Sequence, residues 1–389
     1  DNDKRNAYDI QVANAESIIN GTNNVVLVPT DIDNATTSVT SAYNALNGDN
    51  NLRVAKENAN NTIDGLAQLN NVQKANLKEQ VQNAQTLPDV QTVKTNAQTL
   101  NDAMRTLRDS VANEQTVKSS QNYTDANQDL QQAYDAQVNN ANNIINETGT
   151  PTMNPNTITQ ATTQVTTAEG ALNGAQNLVN AQNNAKANLN TLSHLTNEQK
   201  ESITNQINSA THVNDVTTIQ NDATQLNNAM NELAQSIQDQ ESTKQQVNYT
   251  NADQANQEAY NNAVAEAERI LDKEHGANTS HADVQTAIQN VQSTKQALNG
   301  DRNVEIAKTN AKNTLEQLTS LNNAQKAALT TQIDNAPTVA NVEQVSNTAT
   351  HLNQAMAELQ QGINDNNDVL QSVDYTDACL LYTSPSPRD

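Results

Sequence analysis

The sequence predicts an all-α fold in which tandem three-helix bundles form an elongated rod with a 126-residue repeat. Three observations carry that expectation. The first is the period. Tyr8, Tyr134 and Tyr260 each follow an Ala, Tyr123, Tyr249 and Tyr375 each open a Tyr-Thr-Asx-Ala stretch, and Ala-Leu-Asn-Gly recurs at 45–48, 171–174 and 297–300. Within each set the spacing is 126 with no gap, the mark of a repeat architecture. The second is the spacing of apolar residues by three and four, the helical period. The third is composition: 35% hydrophobic and 2% aromatic residues, with 65 Asn in 389. A single large core cannot be built from that, whereas small bundles in series can.

Starting a unit at Tyr123 gives a nearly complete unit at 1–122, full units at 123–248 and 249–374, and the start of a fourth at 375–378. After Ala378 the register is lost, and residues 379–389 read as a non-native tail. In the middle unit the helices are expected in the following order. Tyr134, Val138, Ala141 and Ile145 make one stripe, on a helix at 124–147 that ends before the Gly149–Pro155 turn. A helix at 157–172 lies between Pro155 and Gly174. Leu178, Ala181, Ala185, Leu189, Leu192 and Leu195 place another at 175–195. Thr196 and Gln199 form the reciprocal pairing that satisfies two open backbone donors at a helix start, and the same pairing stands at Asn70 with Gln73 and Asn322 with Gln325. That start opens a helix at 198–209. Val216, Ile219, Ala223, Leu226, Met230, Leu233 and Ile237 carry the last, at 213–243.

Each of these helices has one apolar face and must bury it against partners. Five helices in 126 residues suggest two three-helix bundles joined through the central helix, at 175–195. Pro29, Pro155 and Pro337, with Gly48, Gly174 and Gly300, fall between stripes and are expected to end helices. Ala at many seam positions allows close approach but buries little area, and a fully buried Leu, Ile or Val contributes about 1.5–3 kcal/mol. Asn and Thr cost up to about 0.7 kcal/mol each against Ala in a helix. Packing and caps must therefore carry the fold.

The same inventory excludes functions. Twenty-one Lys and Arg against 44 Asp and Glu leave a net charge of −23, which repels phosphate-rich partners, so no nucleic acid is expected. One Cys rules out an internal disulfide framework and a Cys-cluster metal site. No apolar run approaches 18 residues, and no cleavable signal or wall-sorting signal is visible, so the chain reads as soluble material or the soluble interior of something longer. His194 is replaced by Gln68 and Ser320 in the other copies, and His212 by Thr86 and Thr338. The units therefore share no histidine site. His275 and His281 flank a turn in one unit only, and His351 has no companion. No phosphate cradle, zinc motif, calcium loop or nucleophile elbow is present. No catalytic, cofactor-binding or metal-binding residue is assigned, and no cofactor or small-molecule substrate is expected. Tyr134 and its copies are read as core. Tyr123 and its copies, at a unit junction, are read as capping a helix start or packing one unit on the next. A structural or adhesive array fits the repeat best. A multivalent binding module comes next, and an enzyme has no support.

Two parts of each unit resemble known modules. The stretch from Leu315 to Val339 (LEQLTSLNNAQKAALTTQIDNAPTV), followed by Asn341-Val-Glu-Gln-Val, resembles the GA module, a three-helix unit related to bacterial albumin-binding domains. The part from Ala133-Tyr134 through Ile144-Ile145-Asn, Pro151-Thr-Met and Ala171-Leu-Asn-Gly resembles the FIVAR module. Their alternation over 1–378 is similar to the giant extracellular matrix-binding proteins of staphylococci. On this resemblance the FIVAR-like parts are 1–60, 123–182 and 249–308, and the GA-like parts 61–122, 183–248 and 309–374.

The resemblance implies a long, non-enzymatic protein on a Gram-positive cell surface, attached to membrane or wall only through regions outside this sequence. It also implies adhesion to fibronectin or another host matrix protein, with a spacer or envelope-integrity role as the alternative. Albumin binding is implied less. Albumin-binding GA modules carry aromatic and apolar residues on and before their second helix, whereas the stretch here is Thr196-Asn-Glu-Gln-Lys-Glu-Ser-Ile203, with counterparts at 70–81 and 322–329.

Overall fold

A computed structural model of the chain describes residues 1–21 and 24–378. The stretch at 379–389, expected to be a non-native tail, lies outside the described residues. Every regular element among the described residues is a helix, and the chain divides into two compact units, one up to Asn180 and one from Ala181.

The first unit contains α1 (Asn2–Asn20), α2 (Pro29–Asn44), α3 (Gly48–Gly65), α4 (Asn71–Asn83), α5 (Leu87–Val111), α6 (Glu114–Ser119), α7 (Gln121–Thr124), α8 (Gln128–Ile145) and α9 (Pro155–Ala171). The division between units falls within α10 (Gly174–Thr191). The second unit continues with α11 (Asn197–Ser209), α12 (Val213–Ile237), α13 (Gln240–Gln245), α14 (Val247–Thr250), α15 (Gln254–Leu271) and α16 (His281–Gln296). It then runs through α17 (Gly300–Gln317), α18 (Asn323–Asn335), α19 (Val339–Gly362), α20 (Asn366–Gln371) and α21 (Val373–Ala378).

In the first unit α3, α4 and α5 pack as one three-helix bundle, and α5 also packs on α8 and α9. The shared element is thus the long helix, not the central one that the spacing suggested. Length explains this. At 1.5 Å per residue the 25 residues of α5 extend about 37 Å, while the 13 of α4 extend about 20 Å. The apolar stripe of α5 continues past the end of its first partners. Val90, Ala97 and Leu100 lie in its first part and Met104 and Leu107 further on, and all are buried in one continuous core running from Ala59 to Leu172. In the second unit α12 likewise packs on α11 and on both α15 and α16, while α17, the counterpart of the central helix, packs along α18 and α19 and meets the preceding bundle only at its start, on α14.

The expected helix at 213–243 stops at Ile237 and resumes as α13. The residue before the short helix is Asn113, Asp239 or Asp365 in the three copies, each near φ −100°. Short polar side chains of this kind favour helix starts over helix interiors. Pro337 lies between α18 and α19 as expected, but the other prolines and the glycines act differently. Pro29 and Pro155 are the first residues of α2 and α9, where a missing N–H costs nothing, and Gly48, Gly174 and Gly300 open α3, α10 and α17.

Tyr134 and Tyr260 are fully buried. Tyr123 and Tyr249 lie edge-on against them, ring centres 6.0 and 6.1 Å apart. Tyr123 and Tyr249 therefore pack within a bundle, whereas Tyr375 is 51% exposed. The Tyr123 hydroxyl donates to the Asp135 carboxylate (2.9 Å), and in the next copy Tyr249 and Asn261 pair through Oη and Oδ1 (3.1 Å).

Candidate functional site

Among the described residues no group of three or more His, Cys, Asp or Glu side chains is placed to hold a metal ion, and no helix is long and apolar enough to cross a membrane. His275 is four-fifths exposed and lies 3.3 Å from Asp272. His281 and His351 are exposed, and His194 serves through its backbone N–H, which donates to Asn227 Oδ1 (2.9 Å). The places where many polar side chains converge are the joints between consecutive bundles, and these recur in register.

The first kind of joint uses the predicted helix-start pairs. At α4 the Gln73 N–H donates to Asn70 Oδ1 (2.9 Å) and Gln73 Oε1 accepts from the Asn70 N–H (3.1 Å). At α11 the Gln199 N–H donates to Thr196 Oγ1 (3.2 Å) and Gln199 Oε1 accepts from the Thr196 N–H (2.9 Å). Both glutamines are fully buried because a further bond points outward. Gln73 Nε2 donates to the carbonyl of Thr152 (2.9 Å), and Gln199 Nε2 to that of Thr279 (2.9 Å), in the loops before α9 and α16. Asn70 Nδ2 adds a bond to the Ile144 carbonyl (3.2 Å). Around α11 the Asn197 N–H donates to the Lys273 carbonyl (2.9 Å), Lys273 Nζ to the Ser193 carbonyl, and Asn278 Nδ2 to Ser202 Oγ (3.0 Å). One side chain both caps a helix and locks the next bundle onto it.

The loops that receive these bonds have different sequences but both offer a backbone carbonyl. In one, the Glu147 carboxylate accepts from the Thr152 N–H (2.7 Å). In the other, the N–H groups of His275 and Glu274 hold the Asp272 carboxyl below the usual range, and Gly276 bonds back to Asp272. A Cβ on Gly276 would meet the Asp272 carbonyl oxygen at 2.2 Å and Thr196 Cγ2 at 2.9 Å, so the joint needs the bare backbone.

The second kind of joint is built from asparagines. Asn173 Oδ1 accepts from the Asn127 N–H (2.9 Å), Asn177 Nδ2 donates to the Asp125 carbonyl (2.9 Å), and the Ala175 N–H donates to Asn122 Oδ1 (3.0 Å). One repeat later Asn299 Oδ1 accepts from the Asp253 N–H (3.0 Å), Asn303 Nδ2 donates to the Asn251 carbonyl (3.0 Å), and the Asp301 N–H donates to Asn248 Oδ1 (3.2 Å). These bonds close the helix starts of α10 and α17 against the turns around α7 and α14. Asn101, Asn227 and Asn353 hold a third repeated position, each accepting a backbone N–H from the loop between two helices of its bundle. These repeated asparagines thus satisfy backbone groups of loops and helix starts.

The chain carries its own control for the first joint. Asn322 and Gln325 form the same reciprocal pair at α18, at 2.9 and 3.0 Å, yet Asn322 is exposed and Gln325 half-buried, and among the described residues no following bundle bonds to it. Gln199→Ala removes the cap bond and leaves the half-buried Thr279 carbonyl without its donor. Gln325→Ala removes the cap bond alone. The expected outcome is that Gln199→Ala costs about 1 kcal/mol more than Gln325→Ala. Hydrogen exchange of the amides in α11 and α18, measured in the full chain, checks this, and equal losses would remove the joint's contribution.

Comparison with known proteins agrees with this alternation. The FIVAR domain pattern matches residues 1–47, 103–173, 229–299 and 355–378, and the GA module pattern matches 49–103, 175–229 and 301–355. The chain is 56% identical over 378 residues to the extracellular matrix-binding protein ebh of Staphylococcus aureus strain MW2, and 60% identical over 378 residues to EbhA of strain Mu3. These alignments take in 97% of the chain but only 4% and 6% of the two relatives. A crystal structure of a domain of EbhA from Staphylococcus aureus superposes with a TM-score of 0.59 at 39% identity, covering 63% of this chain and 98% of that one.

Proposed function

The chain belongs to the FIVAR and GA repeat family of the staphylococcal extracellular matrix-binding proteins, and from that premise we propose that it is a non-enzymatic structural and adhesive repeat segment of a bacterial surface protein. Its partner on this reading is a host matrix protein, with fibronectin the one to test first. The observation that carries the reading is the recurrence of the joint: Gln73 and Gln199 each bind the following bundle through a backbone carbonyl. Such a joint accepts changes in the loop sequence while keeping neighbouring modules docked. Modules docked this way present their outer faces repeatedly, so that a weak contact at one copy is multiplied by the others.

The albumin reading is weaker, and two observations support ranking it so. The stretch that the GA resemblance would use carries no aromatic residue in any of the three copies. Around α4 and α11 it is also engaged by the following loop, through Thr152 and through Lys273, Asn278 and Thr279. A ligand there would have to displace a formed joint.

Titration of the full chain against immobilised fibronectin and, separately, albumin tests the proposal. Saturable fibronectin binding with at least tenfold weaker albumin binding is expected. A net charge of −23 makes the fibronectin signal fall with added salt where the contact is electrostatic. Absence of saturable binding to either protein at any ionic strength would leave the spacer reading, in which the docked joints alone are the function.

A further inference from the structure

Two demands of the asparagine joint meet in one dipeptide. The joint needs a side-chain amide at 173 and 299 to accept a backbone N–H 46 positions away, and it needs a bare backbone at 174 and 300. A Cβ on either glycine would collide with carbonyl oxygens in or beside α7 or α14. Each joint therefore carries an Asn-Gly pair. Asparagine is a thermolabile residue, and a following glycine makes it more so, because no side chain hinders attack of the next backbone nitrogen on the asparagine Cγ.

The folded joint holds that chemistry off. Ring closure needs the glycine nitrogen on the side of the Cα–C bond that carries Cβ. Asn299 has φ −126° and ψ 17°, so the Gly300 nitrogen nearly eclipses the nitrogen of Asn299 instead, well away from Cβ. Both ends of the Asn299 amide are also held: Oδ1 accepts from the Asp253 N–H (3.0 Å) and Nδ2 donates to Asp253 Oδ2 (2.8 Å). Gly300 is buried, which keeps solvent base from its N–H. Asn299 can cyclise only when the start of α17 opens from α14.

We infer that Asn299–Gly300 is a self-modification site, gated by opening of the α14–α17 joint, whose product keeps that joint from closing again. In the opened joint the Gly300 N–H gives its proton to hydroxide, the nitrogen bonds to Asn299 Cγ, and the Cγ–Nδ2 bond breaks with release of ammonia, which takes its proton from water. Water then opens the cyclic imide. Cleavage between Cγ and the nitrogen leaves an aspartate, and cleavage at the main-chain carbonyl leaves an isoaspartyl link that adds a carbon to the backbone. The net change turns amide and water into carboxylate and ammonium, with no other reactant.

The aspartate product acts differently in the two copies. At 299 its second oxygen replaces the Nδ2 donor opposite Asp253 Oδ2, so two carboxylates face each other where a hydrogen bond stood, and Asp301 adds negative charge in the first turn of α17. At 173 the place of Asp253 is taken by Asn127, which carries no charge, and α10 has no acidic residue in its first turn. An aspartate there caps a helix as well as the asparagine does and still accepts from the Asn127 N–H and Asn177 Nδ2. The same product thus holds the later joint open and leaves the earlier one shut.

Peptide mapping by mass spectrometry, on the full chain aged in mildly alkaline buffer with and without concentrated urea, reads the rate at each pair. In urea Asn173 and Asn299 are expected to deamidate at similar rates, at least about tenfold faster than in the folded chain. Asn303→Ala removes the bonds to the Asn251 carbonyl and Asp253 Oδ1, and is expected to speed the loss at 299 severalfold with the rate at 173 unchanged. Hydrogen exchange tests the product. Asn299→Asp is expected to speed exchange at Asp301 and Asn303, Asp253→Asn added to it restores protection, and Asn173→Asp leaves Ala175 and Asn177 as they were. Equal rates with and without urea, or an Asn303→Ala chain that ages like the unaltered one, overturn the gating. Equal losses of protection in Asn173→Asp and Asn299→Asp, no loss in Asn299→Asp, or no rescue by Asp253→Asn, overturn the effect of the product.

Discussion

Leu233→Ala is expected to lower the local stability around α12, α15 and α16 by about 2–5 kcal/mol, while the same change at Leu359, in register one repeat later, costs less than about 0.5 kcal/mol. The two leucines stand in register 126 residues apart, each after a Glu and three residues after a Met. What differs is that Leu233 is fully buried on a helix that packs against α15 and α16, and Leu359 is 58% exposed. Truncating the first removes transfer energy and leaves a cavity that the surrounding helices fill only in part. Truncating the second removes a side chain already in water. Because modules in a repeat array open separately, a single melting midpoint would blur the effect. The measurement is amide exchange, read peptide by peptide across 213–237 and 339–362 in the full chain. A large loss at both sites would show that Leu359 is covered in solution. In dilute solution the two must differ.

The contrast between these leucines also shows what could be read from the sequence. The stripe Val216 to Ile237 is a run of threes and fours, so the helix and its buried face were legible, as were the pairs at Asn70, Thr196 and Asn322, whose bonds lie within four residues of one another. The partner of each face was not. A helical stripe states that a face must be buried but not against which element. For that reason the joint was expected at 175–195, where the apolar spacing is equally clean, when it is the extra length of α5 and α12 that lets them serve two bundles. The outward bonds of Gln73 and Gln199 were hidden for a related reason. Their acceptors are backbone carbonyls in loops of unrelated sequence, Glu147 to Thr152 in one and Asp272 to Thr279 in the other, and a carbonyl leaves no signature in residue type. The asparagines carried a partial signal. Asn47, Asn173 and Asn299 recur within Ala-Leu-Asn-Gly, and a polar amide fixed at one place in every copy has a repeated task. The pattern did not disclose that the task was to accept a backbone N–H 46 positions away.

The glycine that follows each of those asparagines supplies the second large effect. A Cβ on Gly174 would lie 2.6 Å from the carbonyl oxygens of Gln121 and Asn122, and one on Gly300 would lie 2.4 Å from the Val247 carbonyl and 2.6 Å from that of Asn248. The obstacles are backbone atoms of α7 and α14, which cannot turn aside as a side chain would. Gly48, at the same repeat position, has nothing within 4 Å. Gly300→Ala therefore forces the start of α17 away from α14 and strains the Asp301 and Asn303 bonds to Asn248 and Asn251, at a cost of about 1–3 kcal/mol from overpacking. Gly48→Ala meets open space and restricts only the unfolded chain, so it is neutral or stabilises by up to about 1 kcal/mol. The opposite signs separate a requirement of the joint from a requirement of the helix start, since all three glycines open helices. Faster exchange at the amides of Asp301 and Asn303 in Gly300→Ala, with unchanged or slower exchange near Asn51 in Gly48→Ala, is the expected pattern. Equal effects at both positions would mean that the glycine serves the local turn, and the close approach of the neighbouring bundle would then play no part in keeping it.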